Sequence, residues 1–360
     1  MTFYMPAKVF EQEDCVHAHG KDMAALGKRA LIVTGRSSAK KNGSFDDVRK
    51  ALEENGVAWE LFNGVEENPS IETVMAGTDK ALSFRADFIV GIGGGSPLDA
   101  AKAIALMAFH KNKGAEYLYA KGGNSSALPL VAVPTTCGTG SEVTGVSVLT
   151  IHAKQTKGSI SHKIFPTLAL IDGKYLSTAP LSVIANTAMD ALAHLFESYV
   201  NSASSDYSRM CATSGMAVWK KIKNFLSEKR SPGKEESFLL MRSSTLAGMA
   251  IAQNGTSLPH ALSYPLTYHL GMPHGKAVSY FLAGYLAQAD SEDRDFVLRA
   301  AGFKDLDQLQ AFYQEICGKE KIRPDILEKA ISSVAQNKAK LASAPFFADD
   351  KVLRKIAFFG

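Results

Sequence analysis

Over its first 134 residues the chain alternates short β-rich runs with helical patterns, and that alternation points to βαβ units and a parallel sheet. The runs Ala30 to Thr34, Trp59 to Phe62, Phe88 to Ile92 and Leu130 to Val133 each end at Gly, Asn, Pro or Thr, where the chain must turn out of the sheet. Between them, Phe45 to Glu54, Ile71 to Phe84 and Pro97 to His110 carry apolar residues at helical spacing. Crossovers of this kind join strands that run the same way. After about Asp172 strands become hard to find, and segments rich in Ala, Leu and Met take over, as in Leu181 to Val200, Tyr207 to Leu226, Phe238 to Gln253 and Ala277 to Gln288. The expected fold is therefore an α/β amino-terminal domain with a Rossmann-like parallel sheet, residues 1–176, followed by an all-α carboxyl-terminal domain, residues 177–360. The boundary is expected within Gly173 to Pro180, where Ser177 or Thr178 can cap a helix whose first turn accepts Pro180. Length agrees, since 360 residues exceed the roughly 250–300 at which one core stops growing.

Charge and cysteine usage remove several function classes. Forty Lys+Arg against 36 Asp+Glu leave only +4, without a dense basic run, so no general grip on nucleic acid is expected. Cys15, Cys137, Cys211 and Cys317 form no CxxC pair, which argues against a zinc knuckle and a disulfide framework and fits a reducing cytoplasm. The stretch Met1 to Phe10, followed by Glu11, Glu13 and Asp14, has no basic segment leading into an apolar one. No stretch reaches the ~18 uninterrupted apolar residues of a membrane span, so neither secretion nor membrane insertion is expected.

Gly91-Ile92-Gly93-Gly94-Gly95-Ser96-Pro97 joins a buried strand directly to a helix expected to start at Pro97. Consecutive glycines leave backbone N–H groups uncovered, so phosphate oxygens can approach them and the positive end of the helix. This is not the G-x-G-x-x-G fingerprint, because Ser96 holds its last position and the loop follows the third strand; nor does Gly-Lys-Ser/Thr follow, as a Walker loop requires. A tight turn is the competing reading. The next strand ends in Pro134-Thr135-Thr136-Cys137-Gly138-Thr139-Gly140-Ser141-Glu142, placing hydroxyls and glycines where open α/β sheets bind ligands. Together the two loops favour a nucleotide over a mere turn.

In the second half, Asp190 and His194 stand four residues apart and so share one face of a helix, opposite a stripe of Ala188, Ala191, Leu192, Leu195 and Tyr199. Alone, such a pair reads as a solvated polar face. A second cluster, His260, Tyr264, His269 and His274, lies in a segment broken by Gly271, Pro273 and Gly275. Three neutral imidazoles and one carboxylate suit a divalent transition metal with a further position open to substrate. His269 reads as an ordinary loop histidine, and local sequence leaves open whether the two clusters meet.

Four separated motifs occur in register: Gly93-Gly94-Gly95-Ser96-Pro97-Leu98-Asp99, Pro134 through Thr144, Met189-Asp190-Ala191-Leu192-Ala193-His194, and Pro273-His274-Gly275. In this order and spacing the chain resembles the iron-containing (group III) alcohol dehydrogenases, from about Tyr4 to Leu282. The resemblance implies a dinucleotide-binding domain, a helical domain, a metal in the cleft between them, and Asp190, His194, His260 and His274 as ligands. It further implies that Gly94, Gly95 and Ser96 hold the pyrophosphate, with Asp99 in the same motif, and that Thr135, Thr136 and Thr139 line the path of phosphate, ribose and nicotinamide. Asn68 matches the family's Asn-Pro turn, and Lys157, with Lys154 as alternative, its cofactor-contacting lysine.

There are two departures from the family pattern. Tyr264 stands where members commonly carry a histidine, which puts a proton relay through that position in doubt. Gly35-Arg36-Ser37-Ser38, then Lys40 and Lys41, replaces the aspartate with which NAD-using members often bind the ribose diol. Hydroxyls and cations without a carboxylate accept a 2′-phosphate, so NADP is the expected cofactor and NAD the alternative; the competing reading leaves these side chains facing solvent. Fe(II) is the implied metal and Zn(II) its alternative, although the donor set suits Co(II) and Ni(II) too. The expected activity is reversible hydride transfer between NADP(H) and a small primary alcohol or aldehyde, in a cytoplasmic homodimer. A zinc-using glycerol or polyol dehydrogenase, a cyclising synthase of the dehydroquinate type, and a nucleotide- and metal-binding protein without turnover are the other readings. Positions such as Thr150, Gln253 and Tyr264 are expected to line the substrate pocket.

Overall fold

The computed structural model describes residues 2–154 and 156–359. They form two compact units, one of the described residues within 5–136 and 140–179, the other of those within 2–4, 137–139 and 180–359.

The first unit is built on eight strands: β1 (Lys8–Glu11), β2 (Arg29–Gly35), β3 (Ala58–Val65), β4 (Phe88–Gly93), β5 (Leu130–Pro134), β6 (Val148–Ile151), β7 (Thr156–Ser159) and β8 (Leu168–Ile171). Six of them make one all-parallel sheet in the order β1-β8-β5-β4-β2-β3, with Ile32 opposite Val90 and Gly91 opposite Ala132. β6 and β7 form a separate antiparallel pair. All six residues of β4 are buried, as befits a parallel strand covered on both faces. β2, β3, β4 and β5 match the β-rich runs of the sequence. β1, β6, β7 and β8 were not anticipated, because runs of four residues carry too little alternation to stand out.

Helices α1 (Ser44–Glu54), α2 (Ile71–Phe84) and α3 (Gly95–Phe109) supply the crossovers. α3 starts at Gly95 rather than Pro97, because extended Gly94 already occupies the N-cap. β2 has β3 on one side and β4 on the other, so the strand order reverses there. Such a reversal opens a crevice at the carboxyl ends of the strands, the usual ligand position of an open α/β sheet.

The second unit is helical, with α4 (Leu181–Val200), α5 (Asp206–Ser227), α6 (Lys234–Asn254), α7 (Leu258–Leu270), α8 (His274–Tyr280) and α9 (Leu282–Leu286) leading into shorter helices toward the end. Neither Ser177 nor Thr178 caps α4: Pro180 precedes its first residue and no side chain bonds there, while Ser177 closes the 3-10 turn Gly173–Leu176. The single helix expected over Ala277 to Gln288 is instead α8 and α9, joined at buried Phe281. α4 is the buried centre of the unit, with every residue from Ala188 to Val200 enclosed. Trp219 Nε1 donates to the Ala188 carbonyl at 3.0 Å. A Cβ at Gly215 would come within 2.3 Å of Leu195 Cδ2, so α5 lies close on α4 there and a larger residue would have to push that leucine aside.

Candidate metal centre and cofactor loops

Asp190 and His194 are 2% and 5% exposed, which removes the solvated-face reading of that helix. α7 brings His260 and α8 brings His274 to the same place. One donor atom each from Asp190, His260 and His274 lies within 4.8 Å of the others. His260 Nε2 stands 3.6 Å and His274 Nε2 3.9 Å from Asp190 Oδ1, too far for hydrogen bonds. Two ligands about 2.1 Å from a shared tetrahedral ion sit about 3.4 Å apart, so the spacing suits a metal better than direct bonding. Asp190 Oδ1 and His260 Nε2 are buried and have no hydrogen-bond partner. A cation between them satisfies both, and on that ground the residues fit a divalent metal.

His194 stands one turn beyond Asp190, its ring stacked on that of His260 with centroids 4.4 Å apart. Its Nδ1 lies 3.2 Å from the Gly138 carbonyl. Because a carbonyl only accepts, Nδ1 carries the proton and Nε2 keeps its lone pair. The described cluster of three does not include His194.

Burial by itself would raise Asp190, but His194, His274 and His260 around it hold the carboxyl well below the ordinary carboxylate range. Burial pushes His194 down to about 4. For His260 the same burial is outweighed by the carboxylates of Glu197 and Asp190, which lift it to about 9. Glu197 was not singled out in the sequence, although seven residues beyond Asp190 is nearly two full helical turns and thus the same face. His269, on the exposed last turn of α7, is in a helix rather than a loop and stands outside the cluster. The Tyr264 ring lies 6.4 Å from that of His274. The Gln253 amide accepts from the Tyr4 N–H at 3.0 Å and donates to the Tyr4 and Met249 carbonyls at 3.2 Å.

In the sheet unit the expected cofactor residues gather at the carboxyl ends of β5, β4, β2 and β3, four neighbours in the sheet. Gly94 ends the extended chain beside Thr136, where a Cβ would lie 2.9 Å from Thr136 Oγ1. Gly93 has φ +148°, and a Cβ on it would stand 2.5 Å from Pro97 Cγ, so only glycine makes this turn. No side chain caps α3, so no capping group competes with an anion for the N–H groups of its first turn, at Gly95 and Ser96. Ser96 Oγ accepts from the Asn68 N–H at 3.0 Å, while Lys157 Nζ donates to Asn68 Oδ1 at 2.5 Å. Thr150 Oγ1 donates to the Asn68 carbonyl at 2.7 Å, so this hydroxyl supports the turn. The Lys154 side chain falls outside the described residues.

Asp99 is committed internally: its carboxylate accepts from Ser141 Oγ at 2.7 Å and Val148 N at 2.9 Å, and Lys102 stands 3.7 Å away. Lys102, wholly buried, donates to Ser141, Thr144 and the Val146 carbonyl. The pair pins the segment after β5 to α3. Thr135 donates its N–H to the Gly93 carbonyl at 3.0 Å, whereas Thr139 belongs with Cys137 and Gly138 to the helical unit. Gly35 ends β2 with a Cβ position 4.0 Å from Pro97 Cγ, and Arg36, Ser37, Ser38, Lys40 and Lys41 beyond it are exposed. Burial pushes the Cys137 thiol up to about 11, so it stays protonated and offers no nucleophile.

A glycine-turned strand-to-helix loop in one unit and a buried Asp/His cluster in the other are features of metal-dependent dinucleotide oxidoreductases. Comparison with known proteins agrees. The family described as iron-containing alcohol dehydrogenase matches residues 6–173, and the carboxyl-terminal domain of that family matches residues 184–338. The chain belongs to the iron-containing alcohol dehydrogenase family, and is an enzyme that interconverts alcohols and aldehydes. It is 32% identical over 286 residues to alcohol dehydrogenase 4 of Schizosaccharomyces pombe, covering 78% of this chain and 67% of that one. It is 32% identical over 260 residues to the NADPH-dependent butanol dehydrogenase of Clostridium saccharobutylicum, covering 71% of this chain and 66% of that one. The crystal structure of an iron-containing alcohol dehydrogenase from Thermotoga maritima superposes with a TM-score of 0.91 at 37% identity, covering 99% of this chain and 98% of that one.

Proposed function

We propose that the enzyme transfers hydride reversibly between NADP(H) and a small primary alcohol or aldehyde, with Asp190, His194, His260 and His274 as ligands of one divalent metal, Fe(II) or in its place Zn(II). The observation that carries this reading is the convergence of buried donor atoms on Asp190, His260 and His274 within 4.8 Å. When bound, the metal supplies Lewis acidity toward the substrate oxygen and the nicotinamide supplies the hydride. Asp190 gives the one anionic donor, and its depressed pKa keeps it ionised throughout the working range. The bond from His194 Nδ1 to the Gly138 carbonyl leaves Nε2 as the ligating atom. On the cofactor side, the N–H groups of Gly95 and Ser96 bind the pyrophosphate, Asn68 and Lys157 hold the turn beside it, and Thr135, Thr136 and Thr139 line the rest of the path.

The preference for NADP rests on Gly35-Arg36-Ser37-Ser38: an exposed guanidinium and two hydroxyls at the end of β2, with Lys40 and Lys41 following and no carboxylate among them. The name of the Clostridium relative, which specifies NADPH, supports it. Four free cysteines support a cytoplasmic location. The exposed Phe3 and Tyr207 rings, 5.5 Å apart, with exposed Met210, support a homodimer.

The test is steady-state kinetics with C2 to C4 aldehydes on protein reconstituted anaerobically with Fe(II) or Zn(II), using both reduced cofactors. Higher kcat/KM with NADPH is expected, falling when Arg36 is replaced by Asp. A clearly higher kcat/KM with NADH refutes the cofactor assignment, and full activity in metal-free His260→Ala protein refutes the metal chemistry.

A further inference from the structure

Glu197 is fully buried in α4 at 0% exposure, yet no donor atom of it joins the cluster of Asp190, His260 and His274. Both its oxygens are already engaged. Oε1 accepts from His260 Nδ1 at 2.5 Å, and Oε2 accepts from the Ser257 backbone N–H at 2.5 Å. Ser257 is the N-cap of α7, the helix that carries His260. One carboxylate therefore grips the histidine ring and the start of its helix together.

A further layer stands behind it. Lys340 Nζ donates to the Thr256 carbonyl at 2.7 Å and to Thr256 Oγ1 at 2.9 Å, and Ser343 Oγ lies 3.1 Å from Ser257 Oγ. Residues 256 and 257 are thus tied from both sides, by Glu197 on α4 and by Lys340 and Ser343 near the end of the chain. The Lys340 ammonium also lies within electrostatic range of Glu197, which offsets part of the cost of burying that anion.

The consequence for His260 is chemical. A carboxylate can only accept, so Nδ1 bears a proton, and a metal beside Asp190 would displace the second proton and take the Nε2 lone pair. An anionic acceptor on the far nitrogen makes the imidazole a stronger donor than a neutral one does, and His194 has only the Gly138 carbonyl in that place.

Building on the metal-centre reading, we propose that Glu197 is the positioning residue of that centre. It fixes the tautomer and orientation of His260 and, through Ser257, the start of α7, and so sets how tightly the site holds its metal.

Co(II) is the probe. Chelator-stripped protein is titrated with Co(II) while its ligand-field absorption is recorded, for the parent chain, for Glu197→Gln, and for His269→Gln, which alters only the exposed histidine at the end of α7. A glutamine keeps the size but presents an amide N–H₂ to one of the two donors, so the paired grip is lost. Glu197→Gln is expected to keep its far-ultraviolet circular dichroism, to bind Co(II) about 10–100-fold more weakly, and to show an altered ligand-field band, whereas His269→Gln matches the parent. A second measurement needs no variant: side-chain ¹⁵N NMR of histidine in the Zn(II)-loaded parent is expected to show His260 with its proton on Nδ1. One Co(II) bound equally well by parent and Glu197→Gln, with the same spectrum, overturns the role of Glu197 alone, as does a His260 proton on Nε2. A parent chain that takes up no Co(II) overturns the metal-centre reading together with it.

Discussion

Replacing Gly275 by alanine tests the proposed metal centre without touching a proposed ligand. A Cβ there would stand 1.9 Å from the Asn186 carbonyl oxygen and 2.9 Å from Asp190 Cβ, both on α4. The close neighbour is backbone inside a buried helix, so α8 has to move instead. Restoring an ordinary 3.4 Å contact displaces the start of α8 by about 1.5 Å, away from the helix that carries Asp190. His274, the preceding residue, moves with it. Its Nε2 is 3.9 Å from Asp190 Oδ1 now, and the displacement carries that distance past the roughly 4.2 Å that two ligands of one ion can span at about 2.1 Å each. The centre then loses a ligand while the rest of the unit stands. Overpacking of this kind costs about 1–3 kcal/mol, enough to lower Tm by several degrees and too little to unfold a large helical unit. Gly275→Ala is therefore expected to remain folded by circular dichroism, to bind Co(II) more weakly by at least the ~10–100-fold that losing a mere supporting partner costs, and to lose activity in proportion. Isothermal titration of stripped protein with Co(II), with Tm measured in parallel, reads both effects. Folded Gly275→Ala that binds one ion within about threefold of the parent affinity refutes the placement of α8 against α4.

Three further outcomes follow from the same geometry. Metal-free protein should be most stable near pH 6.5, read as Tm across pH 4 to 9 after chelation. His260 is raised to about 9, so its contribution is present below its ordinary 6.5 and lost as pH climbs to 9, while His194, lowered to about 4, loses its contribution as pH falls from 6.5 to 4; a Tm that rises steadily through pH 9 contradicts this. Lys157→Met removes the bond to Asn68 Oδ1 and is expected to raise KM for NADP(H) about 10–100-fold with kcat little changed, so an unaltered KM takes Lys157 out of the cofactor path. Gly94→Val forces side-chain atoms onto Thr136, where even a Cβ stands at 2.9 Å, and should weaken NADPH binding by fluorescence titration while Co(II) affinity stays at the parent value.

Much of this architecture could be read in the residues. β2 to β5 and the helices between them show because each is long enough to display its period, and Ile71 to Phe84 and Leu181 to Val200 occupy the expected spans. Asp190 announces itself through an i, i+4 histidine partner, and His260 and His274 through the Gly and Pro breaks around them. Glu197 stayed hidden because one glutamate in Leu195-Phe196-Glu197-Ser198 looks like any solvated helix position until its burial is known. Thr150 and Gln253 show a related limit: a polar side chain shows its bonding capacity in sequence but not that a backbone group already uses part of it, as Asn68 and Tyr4 do here. Strands β1 and β8 needed each other, since neither four-residue run has a pattern of its own and their pairing joins Lys8 to Leu168 across the unit.

The helical unit is not one continuous length of chain, for it takes in Cys137–Thr139 and the residues up to Tyr4 as well as everything from Pro180 on. A fragment cut at residue 180 would inherit every proposed metal ligand, yet it would leave behind the Gly138 carbonyl that sets the His194 tautomer and the Tyr4 backbone that occupies Gln253. Gene fusions, circular permutations and domain exchanges that treat the metal-binding half as a portable cassette would thus transplant the ligands without the group that orients one of them. Heredity has to pass the two halves on together, because a tripeptide written in the sheet half of the sequence is packed into the helical unit and bonds one of its histidines.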